Sequence, residues 1–409
     1  MTRFWHPFAD MGRVEVSGEL VLVRGDGVRV TDRDGKTYID ATAALWYCMV
    51  GYGRGEIADA AARQLRELSA YSCYADIAAE PTLELAERVA ELAPLEDAVV
   101  FFTSGGGDAV DTAAKMAIRH WSLRGEPGRR TIIARERAYH GMNAFGTSLA
   151  GAPAFYEGIG ELVPDVLHIP WDDPAALASA IDSAGAERVA AFFCEPVIGA
   201  GGILAPPPGY LEETRRICRE TGVLFVADEV ITAFGRLGGW FASERWSLDP
   251  DLITFAKGIT SGYLPLGGVV AARRVAEPFW SPEAGLWRHG YTYSGHATVA
   301  AAALANLDLF ERDGILAHAQ ELERELPEAL APLADHRLVS DLRTGVGVLA
   351  AVQLEDPALA DRAAAAAREQ GVLTRGLLGG ALQISPPLVI ERSDLDELVE
   401  RLAAALDSL

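Results

Sequence analysis

Apolar residues come along this chain in short runs separated by longer amphipathic stretches. Residues 98–102, 189–194 and 223–227 are apolar throughout, and 131–134 and 252–255 each contain a single threonine. Runs of this length, rich in Val, Ile and Phe, predict strands buried on both faces. Helical stretches read at 56–68 and 81–92. From about residue 56 helix and buried strand alternate, which predicts a mostly parallel sheet covered on both sides. Residues 20–40 follow a period of two and carry the turn signals Asp26-Gly27 and Asp34-Gly35, so a small antiparallel meander is expected there. After about Asn306 a long helical stretch leads into candidate strands at 339–341, 347–354 and 382–385. A helix at 357–369 and a closing helix at 393–406 complete the tail. The class is α/β, with an amino-terminal segment 1–55, a large unit 56–310 and a small α+β unit 311–409 on which the meander packs.

Length and charge narrow the function. The 409 residues suffice for a large core, and the net charge of −22 disfavours phosphate backbones and anionic lipid as partners. The amino terminus has no charged start followed by an apolar run, and no 18-residue apolar stretch occurs, so neither a signal peptide nor a membrane span is expected. Cys48, Cys73, Cys194 and Cys218 are scattered without CxxC spacing, which predicts ordinary reduced thiols and a cytoplasmic setting. The eight histidines show no metal-ligand spacing.

In open parallel sheets ligands gather at the carboxyl ends of the strands. The chain holds only three lysines, Lys36, Lys115 and Lys257. Lys36 lies in a turn and Lys115 on a helix, where solvated or ion-pair roles are expected. Lys257 ends the run 252–255 and precedes Gly258. There it is either a nucleophile, made so by burial, or one half of a structural ion pair. Asp228 ends the preceding run in the same way. Together they fit a pyridoxal-phosphate site, whose pyridine nitrogen needs a carboxylate and whose carbonyl needs an amine. Asp228 alone has a second, lesser reading as a helix or loop cap. Ser104-Gly105-Gly106-Gly107-Asp108, between a strand and a helix, is either a plain turn or an anion cradle. Tyr139, followed by His140 and Gly141, is either core or a ring stacked on a cofactor. Glu195 ends another run.

At this point the residues resemble a family. The stretches 224–236 and 255–268 are similar to those of the class III aminotransferases, as are Tyr139-His140-Gly141, Tyr291-Thr292-Tyr293-Ser294-Gly295-His296 and Ser385-Pro386-Pro387-Leu388. The resemblance runs the length of the chain in order. It implies a fold type I pyridoxal-phosphate transferase with a mostly parallel seven-stranded sheet, a small α+β domain and a homodimer with shared sites. It implies that Lys257 holds pyridoxal 5'-phosphate as a Schiff base and shuttles the proton, while Asp228 pairs with the pyridinium nitrogen. Val230 and Tyr139 would cover the two ring faces, with His140 beside them and Glu195 near the ring hydroxyl. Gly105, Gly106, Gly107 and Asp108 would hold the phosphate, joined by Tyr291 and Thr292 of the neighbouring subunit. Trp46 and Arg375 would line the substrate pocket, Arg375 receiving the acceptor's carboxylate.

Two departures stand out. Gly105-Gly106-Gly107-Asp108-Ala109 replaces the family's Ser-Gly-Ser-Glu-Ala, so two hydroxyls are missing and a looser hold on the cofactor is expected. The segment from Arg375 to Pro386 is one residue longer, through Gly379-Gly380. The reaction implied is transfer of an amino group from an amine or ω-amino acid to a keto acid, pyruvate before 2-oxoglutarate. An aminomutase, a decarboxylase and a silent cofactor-binding protein are the alternatives. A dinucleotide oxidoreductase is disfavoured, since no GxGxxG follows the first parallel strand.

Overall fold

The computed structural model describes residues 2–409. The amino-terminal meander consists of β1 (Leu22–Asp26), β2 (Arg29–Asp32) and β3 (Thr37–Asp40). The large unit carries β4 (Val99–Thr103), β5 (Thr131–Arg135), β6 (Val166–Ile169), β7 (Val189–Cys194), β8 (Leu224–Asp228), β9 (Leu252–Phe255) and β10 (Gly267–Ala271). The tail adds β11 (Val339–Arg343), β12 (Ala350–Leu354), β13 (Val372–Leu373) and β14 (Ala381–Ile384).

The seven central strands form one sheet in the order β4-β10-β9-β8-β7-β5-β6. Only β10 runs against its neighbours, pairing antiparallel with both β4 and β9. Alternation along each strand feeds a core on each face. Phe192 and Phe225 point to one core, and Phe193 and Val226 to the other. The helix Gly106–Leu123 packs on the second face, burying Ala109, Ala113 and Ala117. Small residues there let the helix approach the sheet closely.

Two central strands escaped the reading of the sequence. At the sheet's edge, β6 leaves Leu167 and His168 exposed, so it shows no buried run. Strand β10 opens with two glycines, a composition that argues against a strand. Both are fixed by close approach: a Cβ on Gly267 would stand 2.5 Å from the Gly105 carbonyl oxygen, and one on Gly268 2.5 Å from the Phe255 ring. In the tail, β11-β12-β14 form an antiparallel sheet, while β13 pairs parallel with β3 at Val372 and Ile39. No helix among the described residues is long and apolar enough to cross a membrane.

Candidate active site

Five strand ends meet at one side of the sheet. Beyond β4, β5, β7, β8 and β9 lies a cavity of about 480 Å³, walled by Gly105, Gly106, Gly107, Tyr139, His140, Glu195, Asp228, Val230 and Lys257. Residues scattered over 150 positions of sequence are thus brought together by the parallel sheet.

Lys257 follows β9 at φ 48°, in the left-handed region that costs a side-chain-bearing residue about 1–2 kcal/mol. The helix Ala297–Arg312 holds that turn: Asn306 Nδ2 donates to the carbonyls of Gly258 (2.9 Å) and Ile259 (3.0 Å), and its Oδ1 accepts from Ser261 Oγ (2.7 Å). Burial pulls the Lys257 ammonium down to about 8, with Arg375 adding to the effect and Asp228 and Glu195 opposing it. An amine so lowered is nucleophilic near neutrality.

Asp228 is buried at the end of β8. Its Oδ2 lies 2.6 Å from His140 Nδ1, and its Oδ1 accepts from Thr254 Oγ1 (2.9 Å) and the Val230 N–H (3.1 Å). Burial works to raise this carboxyl, but the His140, Val230 and Thr254 bonds outweigh it and hold it below its ordinary value. Glu195 ends the neighbouring β7. Its oxygens accept the N–H groups of Tyr139 and Gly199, each at 3.0 Å, and burial raises its carboxyl above the usual range. The buried guanidinium of Arg135 donates to the Glu195 carbonyl and so ties β5 to the same strand end. The Tyr139 ring meets Phe155 edge-on at 5.0 Å, leaving part of its surface to the cavity.

The glycine loop is built from backbone. Gly105 is the N-cap of the helix Gly106–Leu123, whose first-turn amides have no acceptor within the helix. Only the middle glycine is required by space. A Cβ on Gly106 would stand 2.8 Å from Val230 Cγ1, whereas one on Gly105 meets nothing within 4 Å and one on Gly107 makes ordinary contacts.

Five expected residues stand off the cavity wall. Trp46, at φ 62°, turns its indole into the protein, where Nε1 donates to Ser385 Oγ at 3.2 Å; its neighbours Leu45 and Tyr47 line the cavity instead. Arg375 lies over the Trp46 ring at 4.5 Å, and its Nε donates to Gln383 Oε1 at 2.7 Å. Burial lowers its guanidinium to about 10. Asp108 turns its carboxylate to Asn143 Nδ2 at 2.8 Å. The Tyr291 hydroxyl donates to the Asp108 carbonyl at 3.0 Å, and Thr292 is exposed. Sequence reasoning missed Thr254 and Asn306, although a threonine inside an apolar strand and an asparagine inside an Ala/Leu-rich helix are visible signals. It also missed Leu45, Tyr47, Ile231 and Leu264, whose place on the wall only the fold reveals.

Known proteins resemble this chain over nearly its whole length. Residues 11–406 match the family described as Aminotransferase class-III. The probable aminotransferase Rv3329 of Mycobacterium tuberculosis is 40% identical, over 94% of this chain and 89% of that protein. The putrescine–pyruvate aminotransferase of Pseudomonas aeruginosa is 37% identical, over 98% of this chain and 93% of that protein. The ω-transaminase of Pseudomonas jessenii, solved in complex with PMP, superposes with a TM-score of 0.95 at 32% identity, covering 99% of this chain and 96% of that one. The chain belongs to the class III aminotransferases and is a transaminase of fold type I.

Proposed function

We propose that this transaminase works with pyridoxal 5'-phosphate and moves the amino group of a primary amine, diamine or ω-amino acid to pyruvate. The observation that carries the reading is Lys257 and Asp228 facing one cavity from the ends of adjacent strands. The residues fit the cofactor. Gly106 and Val230 leave a slot that a single Cβ would fill, and orphan helix amides border it. When bound, the cofactor supplies the electron sink that stabilises negative charge on the donor carbon.

The chain's own residues do the rest. Asp228, fixed by three hydrogen bonds, presents a permanent anion to the ring nitrogen. Lys257 Nζ would hold the cofactor and, once freed by the donor amine, would carry the proton from the donor carbon to the cofactor's C4′. Tyr139 and Val230 cover the ring faces, His140 steadies Asp228, and Glu195 stands by the ring hydroxyl. Gly105, Gly106, Gly107 and the start of the helix at Asp108 receive the phosphate. Arg375, behind the wall but near enough to Lys257 and Tyr139 to act on both, is the cation assigned to the acceptor's carboxylate. Leu45, Ile231, Leu264 and Leu266 give the wall an apolar stretch suited to an alkyl or aryl amine. The putrescine–pyruvate relative supports both donor class and acceptor.

The division into 1–55, 56–310 and 311–409 belongs to the same reading and is supported by the pairing of β13 with β3. So does a cytoplasmic homodimer in which Tyr291 and Thr292 serve the neighbouring site. Exposed Tyr71, Tyr74, Ile77, Leu286 and Tyr293 support the dimer, and four unpaired cysteines the compartment. The test is the visible spectrum of the protein with pyridoxal phosphate, before and after a panel of amines with and without pyruvate. A band that Lys257→Ala abolishes, that an amine bleaches and that pyruvate restores is expected. A chain that shows no Lys257-dependent band overturns the proposal.

A further inference from the structure

The phosphate end of the cavity has an odd neighbour. Asn143 is the N-cap of the short helix Ala144–Leu149, a position where an asparagine side chain ordinarily bonds the first-turn amides of its own helix. Here it does not. Asp111, reaching over from the helix Gly106–Leu123, takes the Phe145 and Gly146 N–H groups on its Oδ1 at 3.0 and 3.1 Å. The cap is thus supplied from outside, and the Asn143 carboxamide is free to turn elsewhere.

It turns to the glycine loop. The three atoms nearest to a Cβ built on Gly107 are all of Asn143: Oδ1 at 3.5 Å, Cγ at 3.6 Å and Nδ2 at 3.7 Å. The carboxamide therefore stands where a side chain from position 107 would project, in a cradle whose three glycines offer no side-chain donor. Gly141, at φ 88°, presses the intervening loop onto Gly107, where a Cβ would come within 2.8 Å of the Gly107 Cα. That contact fixes the distance between the two loops.

We infer that Asn143 is a side-chain ligand of the cofactor's phosphate, supplying from the second loop a donor that the three glycines lack and that adds to the Ser104 hydroxyl on the same wall. The inference rests on the cofactor reading above. Nδ2 carries two protons, so it serves the phosphate while keeping its bond to Asp108, which turns that carboxylate aside from the anion.

The experiment follows loss of pyridoxal phosphate from the holoenzyme by its visible absorbance during dialysis, a readout independent of turnover. Asn143→Ala is expected to release the cofactor roughly tenfold faster, the loss of one charge-assisted hydrogen bond. Adding Gly107→Ser to that variant should restore retention, because the hydroxyl re-enters the same space. Adding Asp108→Asn should not. Asn143 is exposed, so the substitution leaves the core intact. Unchanged release in Asn143→Ala overturns the inference. So does rescue by Asp108→Asn, which would make Asn143 only a restraint on that carboxylate. A wild-type chain that takes up no pyridoxal phosphate overturns the cofactor reading as well, and the two failures are told apart by that first control.

Discussion

The two ends of the cavity are built on opposite plans. At the end near β7, β8 and β9, the groups assigned to the proton chemistry are ionisable side chains with their positions fixed by partners. Asp228 has three bonds, Glu195 has two, and Lys257 sits on a turn clamped by Asn306. At the other end the wall is Ser104 and glycine backbone at a helix start, with the Asn143 carboxamide beside it. The difference follows from the work each end does. Protonation of a ring and transfer of a proton need full charges with shifted pKa values, which only enclosed side chains provide. A phosphate carries its own charge and needs donors converging on it, which backbone amides supply without desolvating another ion.

Substitutions should therefore be severe at one end and graded at the other. Lys257→Ala removes both anchor and proton carrier, and kcat should fall by at least about 10⁴-fold in steady-state assays. Asp228→Asn keeps the shape but removes the anion, for a loss of roughly 10²–10³-fold. Retention of half the activity would show that the ring end does not depend on that charge. At the glycine end, Gly106→Ala drives a methyl against Val230 and should weaken pyridoxal-phosphate binding roughly tenfold to hundredfold in equilibrium titrations. Gly105→Ala, one residue away in open space, should leave affinity unchanged.

A pH series sharpens the same contrast. The lysine attacks only as the neutral amine, and burial lowers its pKa from 10.5 to about 8. Cofactor-free protein should take up pyridoxal phosphate about tenfold faster per pH unit up to about 8, then level off. An uptake rate still climbing to pH 10 would place an unshifted lysine at the site. At neutral pH the lowered value gives about 300 times more free amine than an ordinary lysine has.

Much of the charged end was legible in the sequence because few residues compete for the role. Lys257 is one of three lysines, and it and Asp228 each interrupt apolar chemistry where a strand stops. Five central strands announced themselves as apolar runs. Strands β6 and β10 did not, one being half-exposed and the other opening with two glycines that only its neighbours justify. The borrowed parts of the site were silent for a similar reason. Asn143 and Asp111 drew no reading from the sequence, since only the packing of the two helices brings Asp111 to the amides of 145 and 146 and Asn143 to Asp108. Trp46 reads as a pocket aromatic, yet its indole bonds Ser385 inside the protein.

The pairing of β3 with β13 has a consequence for how the molecule is made. Ile39 emerges early in synthesis, while its partner Val372 comes in the last tenth of the chain. The edge of β3 must wait for nearly the whole polypeptide before its hydrogen bonds close, the slowest kind of contact to form. Leu45 and Tyr47, which follow β3 directly, line the cavity. Maturation of the catalytic chamber is thereby coupled to completion of translation, and a chain released early carries an unfinished wall.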